Sequence, residues 1–238
     1  MAAAATKSVR YENIILAGLP RSEITTLQQH LSPVELPVRT FLYRAGESPE
    51  YAYFLETGIA SMVSTLRNGN TVEVGVTGKE GMVGLQCVLG TESLPFECFI
   101  QVPGHGYRIK SKRLVEQAGS SRTLRKKLLC ATQGQLVQMG QIAVCNRVHE
   151  IQERLARWLL SCHDRIGSDD LLLTHEFLAT MLGTPRSTVS LAAGILQHAG
   201  FIQYSRGRVV IKNRKALEET VCECYALIRN ETNRLALL

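Results

Sequence analysis

The 238-residue sequence predicts an α+β fold, in which an N-terminal antiparallel β-roll of the jelly-roll kind leads through a long helix into a small helical domain with a β-hairpin. Three observations predict it. Short period-two segments separated by turns fill the region from about Thr40 to Tyr107. A proline-free stretch with a seven-residue apolar recurrence runs from about Arg122 to Asn146. The last third mixes helical spacing with two short β-rich segments and gathers basic residues.

The β-region is legible from alternation. Val72, Val74 and Val76 alternate with polar or small residues, as do Phe96, Cys98, Ile100 and Val102 with Glu97 and Gln101. Such a pattern places one strand face in a core. Turn signals punctuate it at Gly46, Gly58, Asn68-Gly69-Asn70, Gly78 to Gly81 and Pro103 to Gly106. Asn-Gly between two alternating segments predicts a hairpin.

The character changes after Lys110. Leu129, Leu136 and Ala143 recur every seven residues with Thr132 and Met139 at the other seam position, and Gln133, Gln135, Gln138 and Gln141 lie around them. This stripe must be covered by a partner chain or by the sheet. Homodimerisation through Leu129, Leu136, Met139 and Ala143 is the expectation. A second helix is expected from Val148 to Arg165, with Ile151, Leu155, Trp158, Leu159 and Cys162 at helical spacing, and a last one from its cap Asn213 to near the C-terminus. The expected domains are residues 1–120 (β-roll), 121–146 (dimerisation helix) and 147–238 (C-terminal domain).

Composition narrows the class. Hydrophobic residues make up 45% and charged residues 20%, as in globular chains. Apolar runs fall short of a membrane span, and Met1 to Thr6 is too short and lacks the basic start of a secretion signal, so a cytoplasmic protein without membrane contact is expected. The seven cysteines form no repeating framework, which argues for reduced thiols, and the lack of CxxC argues against a structural zinc site. The net charge of +6 is mild, but between Leu171 and Leu217 stand Arg186, Arg206, Arg208, Lys212, Arg214 and Lys215 against Glu176 alone. That density suits a polyphosphate partner, although a solvated basic face is the plainer alternative.

The stretch Thr174 to Gly194 meets the requirements of a helix-turn-helix. Ala179 is the small residue where two helices cross, Gly183 four positions later tolerates positive φ in the turn, and Val189 six further on is apolar between the helices. Leu178 and Leu182 complete the inner face, and Pro185 suits the first turn of the second helix. Its outer N-terminal face presents Arg186, Ser187 and Ser190 with Thr188 beside them, a set able to enter a major groove, and arginine is the commonest reader of guanine. Thr174, His175 and Thr184 join the candidate DNA-contacting set. After Gly200, Phe201 to Tyr204 and Arg208 to Ile211 form two short strands joined by Ser205-Arg206-Gly207. This basic hairpin is a wing whose Arg206, Arg208 and Lys212 are placed to touch phosphate. The whole unit is a winged helix-turn-helix for double-stranded DNA; the alternative is an ordinary helical hairpin with a small sheet.

Over nearly its whole length the sequence resembles the Crp/Fnr family of bacterial regulators. Gly58-Ile-Ala60 and Glu80-Gly-Met-Val-Gly84 are similar to its β-roll, which is like a cyclic nucleotide-binding domain. Arg154 to Leu160 is similar to the first helix of its DNA-binding domain, and Thr174 to Leu196 to its helix-turn-helix. The resemblance implies that Arg186 reads a base, that Leu191 stands where some members have a second base contact, and that RNA polymerase is a partner. Ser187 replaces the family's usual acidic residue. These departures alter the expected half-site.

Members that bind cyclic AMP carry a Gly-Glu pair and then Arg-Ser or Arg-Thr. Here Gly84-Leu85 and Pro95-Phe96-Glu97 stand in that cassette, and Lys79 is the only Lys or Arg between Arg67 and Arg108. A cyclic phosphate would meet Glu97 where it needs a guanidinium, so control by cyclic AMP is not expected. No cofactor is predicted and the effector is left open. The N-terminal cysteine cluster of the family's iron–sulfur members is missing before Cys87. His30, His105, His149 and His163 show no haem spacing. Cys222 and Cys224, with Cys145 and Cys162-His163, are candidates for a redox or metal sensor, against the alternative of ordinary core thiols. An enzyme pairing Cys98 or Cys87 with His105 has no supporting signature, so no enzymatic activity is expected. A purely structural DNA binder would not need a sensor domain.

Overall fold

A computed structural model describes residues 10–91 and 93–238. The alanine-rich start, on which the expectation about a secretion signal rests, lies outside them. Two short helices, α1 (Ile14–Ala17) and α2 (Arg21–Gln28), precede the β-roll and were not read from the sequence. Asn13 anchors them: its Oδ1 accepts from the amides of Ile15 and Leu16, while its Nδ2 donates to the carbonyls of Leu55 and Gly81.

The strands are β1 (Ser32–Leu36), β2 (Phe41–Tyr43), β3 (Tyr51–Leu55), β4 (Ile59–Thr65), β5 (Thr71–Thr77), β6 (Glu97–Val102) and β7 (Gly104–Lys110). They form two antiparallel sheets, ordered β1-β7-β3 and β2-β6-β4-β5. Pro33 is accommodated because β1 is an edge strand. The predicted Asn-Gly hairpin joins β4 to β5, with Gly69 at φ 84°. Leu36, Leu55, Ala60, Cys98 and Ile100 form a buried cluster within the roll.

Strand β5 departs from the simple alternation. Met62 opposes Gly75 and Val63 opposes Glu73, so Val74 is the extra residue of a bulge. Glu73 is buried there while Val72 and Val74 are only half-buried. The outer face of this sheet is also covered, by the C-terminal domain.

Helix α3 (Ser111–Ser120) leads to α4 (Arg122–Val148), which Ser121 caps by accepting from the Leu124 amide at 2.9 Å. One face of α4 buries Leu124, Leu128, Gln138 and Ile142. Gln138, expected around the seam, instead accepts from the Val76 amide at 2.8 Å. After the break at His149-Glu150 come α5 (Ile151–Ile166), β8 (Asp170–Leu172), α6 (His175–Leu182), α7 (Arg186–His198), β9 (Ile202–Ser205) and β10 (Arg208–Ile211). The wing sheet has the order β8-β10-β9, one strand more than the expected hairpin.

The single last helix expected from Asn213 is two helices, α8 (Arg214–Thr220) and α9 (Glu223–Ala236). Asn213 caps α8 as foreseen. The break comes where Val221 and Cys222 take extended backbone, letting α9 turn back antiparallel along α4. Cys224 lies at the Gln141 end of their contact, and Glu231 and Leu235 at the Gln133-Gly134 end. Among the described residues, no helix is long and apolar enough to cross a membrane.

Candidate nucleic-acid interface

The helix-turn-helix is built as its residue types require. Thr174 caps α6 by accepting from the Phe177 amide at 3.1 Å. Gly183 ends that helix at φ 59° and ψ 43°, a left-handed conformation that glycine adopts without steric cost. Leu178, Leu182 and Val189 are buried between the helices, and Ala179 is partly buried. Pro185 sits one residue earlier than expected, as the N-cap of α7 rather than in its first turn.

Burying Val189 turns the opposite face of α7 outward. Arg186, Ser187, Ser190 and Leu191 are exposed, Leu191 at 67%. Thr184 and Thr188 are half-buried beside them. His175 ties this face to the wing: its ring stacks on Tyr204 at 3.9 Å, and its Nδ1 lies 2.8 Å from Ser190 Oγ. Burial, and then the Arg186 charge, hold its pKa below the usual imidazole value, favouring the neutral ring. Thr174, at the start of α6, approaches Gly207 in the wing turn. The start of α6, the outer face of α7 and the wing therefore lie side by side.

The six cations of this segment are not equally free. Arg206 stands exposed at the wing tip with φ 47°, beside Gly207 at φ 77°, and Lys212 is exposed after β10. Arg208 is also exposed but grips Asp170 of β8 with both arms of its guanidinium, and this hydrogen bonding holds the Asp170 carboxyl below its ordinary range. Arg214 is engaged with Asp164, Glu218 and Tyr225. Arg186 lies 3.7 Å from Glu176 in an exposed pair. Asp164 and Asp170 fall just before the segment that looks so basic in sequence, and only the fold lays them against its arginines.

On α4, Leu129 and Leu136 are 52% and 65% exposed, Ala143 is exposed and Met139 is half-buried. Leu136 and Met139 also border a cavity of about 210 Å³ between α4 and the roll, walled by Met62, Met82, Leu85, Leu94 and Phe96 among others. Phe96 reaches this wall, whereas Glu97 is not among the lining residues and pairs with Arg44 at 3.6 Å.

The thiols divide. Cys98 is buried and its pKa raised by desolvation, and His105 pairs with Thr57 at 3.1 Å; burial also pushes Cys87 up to about 11. Cys162 is held by Gln101, and His163 by Asp169 and Arg214, away from the other candidates. Cys222 and Cys224 lie beside Cys145 and His149. His149 entered the sequence reading only as a haem candidate, although its place four residues after Cys145 puts the two on one helix face.

Residues 33–119 match the cyclic nucleotide-binding domain, and residues 153–220 match the Crp-like helix-turn-helix domain. The chain belongs to the Crp/Fnr family of transcription regulators. Among similar solved structures, FixK2 from Bradyrhizobium japonicum aligns with a TM-score of 0.70 at 20% identity, covering 81% of this chain and 98% of that one. A Crp/Fnr-family transcriptional regulator from Eubacterium rectale gives 0.67 at 16% identity, covering 85% and 94%. The c-di-GMP-responsive global regulator CLP of Xanthomonas campestris gives 0.65 at 17%, covering 81% and 99%. Curated proteins yield no match. The family and these neighbours are transcription regulators, not enzymes, and this Crp/Fnr chain carries their DNA-binding helix-turn-helix.

Proposed function

We propose that this Crp/Fnr regulator acts in the cytoplasm as a homodimer on a near-palindromic operator, without control by cyclic AMP. The observation that carries the reading is the exposed face of α7, with Arg186, Ser187, Ser190 and Leu191 set beside the wing. Arg186 reads a guanine from the N-terminal end of α7, where a guanidinium can reach O6 and N7. Thr174, His175, Thr184 and Thr188 border the groove contact, while Arg206, Lys212 and, less freely, Arg208 meet phosphate.

The stripe of exposed Leu129, Leu136 and Ala143 with half-buried Met139 supports pairing across a two-fold axis, which sets half-sites about one helical turn apart. Residues 1–120 serve as the sensor domain, 121–146 as the dimerisation helix and 147–238 as the DNA-binding domain; RNA polymerase is the partner expected of the family. The cavity beside α4 has no Lys, Arg or His on its walls, and apolar Leu85 and Phe96 line it. A cyclic phosphate buried there would lose water without gaining a counter-charge.

Selection of bound sites from a random DNA pool, at stated salt, tests the central reading. A near-palindrome with half-sites about one turn apart is expected, and recovery of no preferred sequence would refute it. Calorimetry with cyclic AMP should show no micromolar binding and no change in operator affinity.

A further inference from the structure

The end of α4 and the start of α9 bring four metal-ligating side chains together. Cys145 is on the last turn of α4, His149 caps that helix, Cys222 is the N-cap of α9 and Cys224 stands in its first turn. One donor atom from each lies within 4.8 Å of all the others. Cys145 Sγ is 3.6 Å from Cys222 Sγ, and Cys224 Sγ is 3.5 Å from His149 Nδ1. Two thiolates at about 2.3 Å from a tetrahedral zinc ion sit about 3.8 Å apart, and a thiolate and an imidazole nitrogen about 3.6 Å apart. Both measured edges fall within a few tenths of an ångström of those spans.

The surroundings are those of a charged sulfur cluster. His149 Nε2 lies 3.2 Å from Glu223 Oε2, so the carboxylate holds the proton on Nε2 and leaves Nδ1 bare toward the thiols. Gln141 Nε2 donates to Cys224 Sγ at 3.1 Å, and Arg157 Nε donates to Cys145 Sγ at 3.2 Å. Arg157 is only 4% exposed, and none of the ion pairs among the described residues includes it. A buried guanidinium needs an anion. Three thiolates and an imidazole around a divalent ion carry one net negative charge beside it.

We propose that Cys145, His149, Cys222 and Cys224 form a tetrahedral Cys3His site for one zinc-like divalent ion. Its ligands come from the end of the dimerisation helix α4 and from the start of α9, the second helix after the wing. His149 is also the link between α4 and α5, so the bound ion fastens the hinge of the DNA-binding domain to α9. Such a site needs no CxxC motif. The pattern here is C-x3-H on one helix and C-x-C about seventy residues later, joined only by the fold.

Metal content measures the site directly and does not depend on DNA binding. The full chain, purified reduced and without chelator, should retain one zinc per chain by mass spectrometry. Cobalt(II) in its place should give thiolate charge-transfer and tetrahedral ligand-field bands. Cys145→Ser and Cys222→Ser should lose the ion, and Cys87→Ser and Cys130→Ser should keep it. Since a buried serine can unfold the chain, Glu223→Gln provides a gentler variant at an exposed carboxylate. It should weaken zinc affinity by about 10- to 100-fold in competition with a chromogenic chelator. Unchanged affinity would overturn the assignment of His149. A reduced wild-type chain that retains no zinc and gives no thiolate–cobalt band would overturn the site as a whole. So would metal retained by the folded Cys145→Ser/Cys222→Ser double variant, or an anaerobic, metal-free chain with these two sulfurs joined in a disulfide.

Discussion

Arg186 and Arg208 are both exposed arginines of the same small domain, yet their neighbours give them different work. Among the described residues the one ion pair of Arg186 is with Glu176, at 3.7 Å and exposed, of the kind that contributes little. A guanine edge can displace that carboxylate. Arg186→Ala should therefore cost about 1–3 kcal/mol on the selected operator and flatten preference at one position. Equal loss on operator and random DNA in a binding titration would make Arg186 a phosphate contact instead. Arg208 is already neutralised by its two-armed grip on Asp170, whereas Arg206 and Lys212 have no such partner among the described residues. Loss of Arg206 or Lys212 should weaken all sequences alike and lower the salt slope by about one unit each. Arg208→Ala should lower it less. Titrations across several salt concentrations read these slopes directly.

At the scale of elements, the long helix α4 is divided among three neighbours. One face packs on the roll through Leu124, Leu128, Gln138 and Ile142, and another meets α9 near Gly134, Gln141 and Cys145. The third carries Leu129, Leu136, Ala143 and Val144 into solvent. Burying a leucine contributes about 1.5–3 kcal/mol, so pairing this face with a second copy has an adequate driving force. Leu129→Glu combined with Leu136→Glu should raise the dimer Kd at least about tenfold while leaving the roll and wing folded. Sedimentation checks both states. A wild-type chain that is monomeric at micromolar concentration, free and on DNA, would remove the dimer from the proposal.

The largest consequence at the scale of the molecule lies where the C-terminal domain docks on the roll. Ile59, Val63 and Val76 share one core with Leu155, Trp158 and Leu182, and Glu73 is buried among them. Trp158 Nε1 donates to Glu73 Oε1 at 2.8 Å. Ser61 Oγ lies within hydrogen-bond reach of both Glu73 Oε2 and Gln101 Oε1, but its single proton serves only one of them. A protonated Glu73 supplies the other. Burial drives the Glu73 pKa from 4.5 up to about 7, against the hydrogen bonds from Ser61 and Trp158. The folded chain thus holds a proton that the unfolded chain releases above about 4.5, and this contribution to stability is lost as pH rises toward about 7. Glu73→Gln should flatten that slope and raise stability above neutrality, as read from urea midpoints at about pH 5 and pH 8. A pH dependence unchanged by the substitution would place the titrating group elsewhere.

Much of this molecule was legible in one dimension because its signals are local. Asn68-Gly69-Asn70 has the backbone freedom a hairpin needs, Gly183 and Val189 have the spacing of a helix-turn-helix, and Asn213 has the side chain of a cap. Backbone sterics and short-range periodicity determine such features, so the sequence by itself determined the β-roll, the long helix and the winged unit. Tertiary structure alone decided whatever depends on neighbours distant in sequence. Asp170 met Arg208 because β8 joined the wing sheet, an edge pairing that no turn signal announces. Glu73 went inward because a bulge at Val74 reversed the alternation, and Trp158, eighty-five residues away, closed over it. Cys145 and Cys222, seventy-seven residues apart, came within 3.6 Å because the chain broke at Val221 and sent α9 back along α4. Charge pairing, burial and metal coordination all act through distances of a few ångströms, and only the completed fold sets those distances.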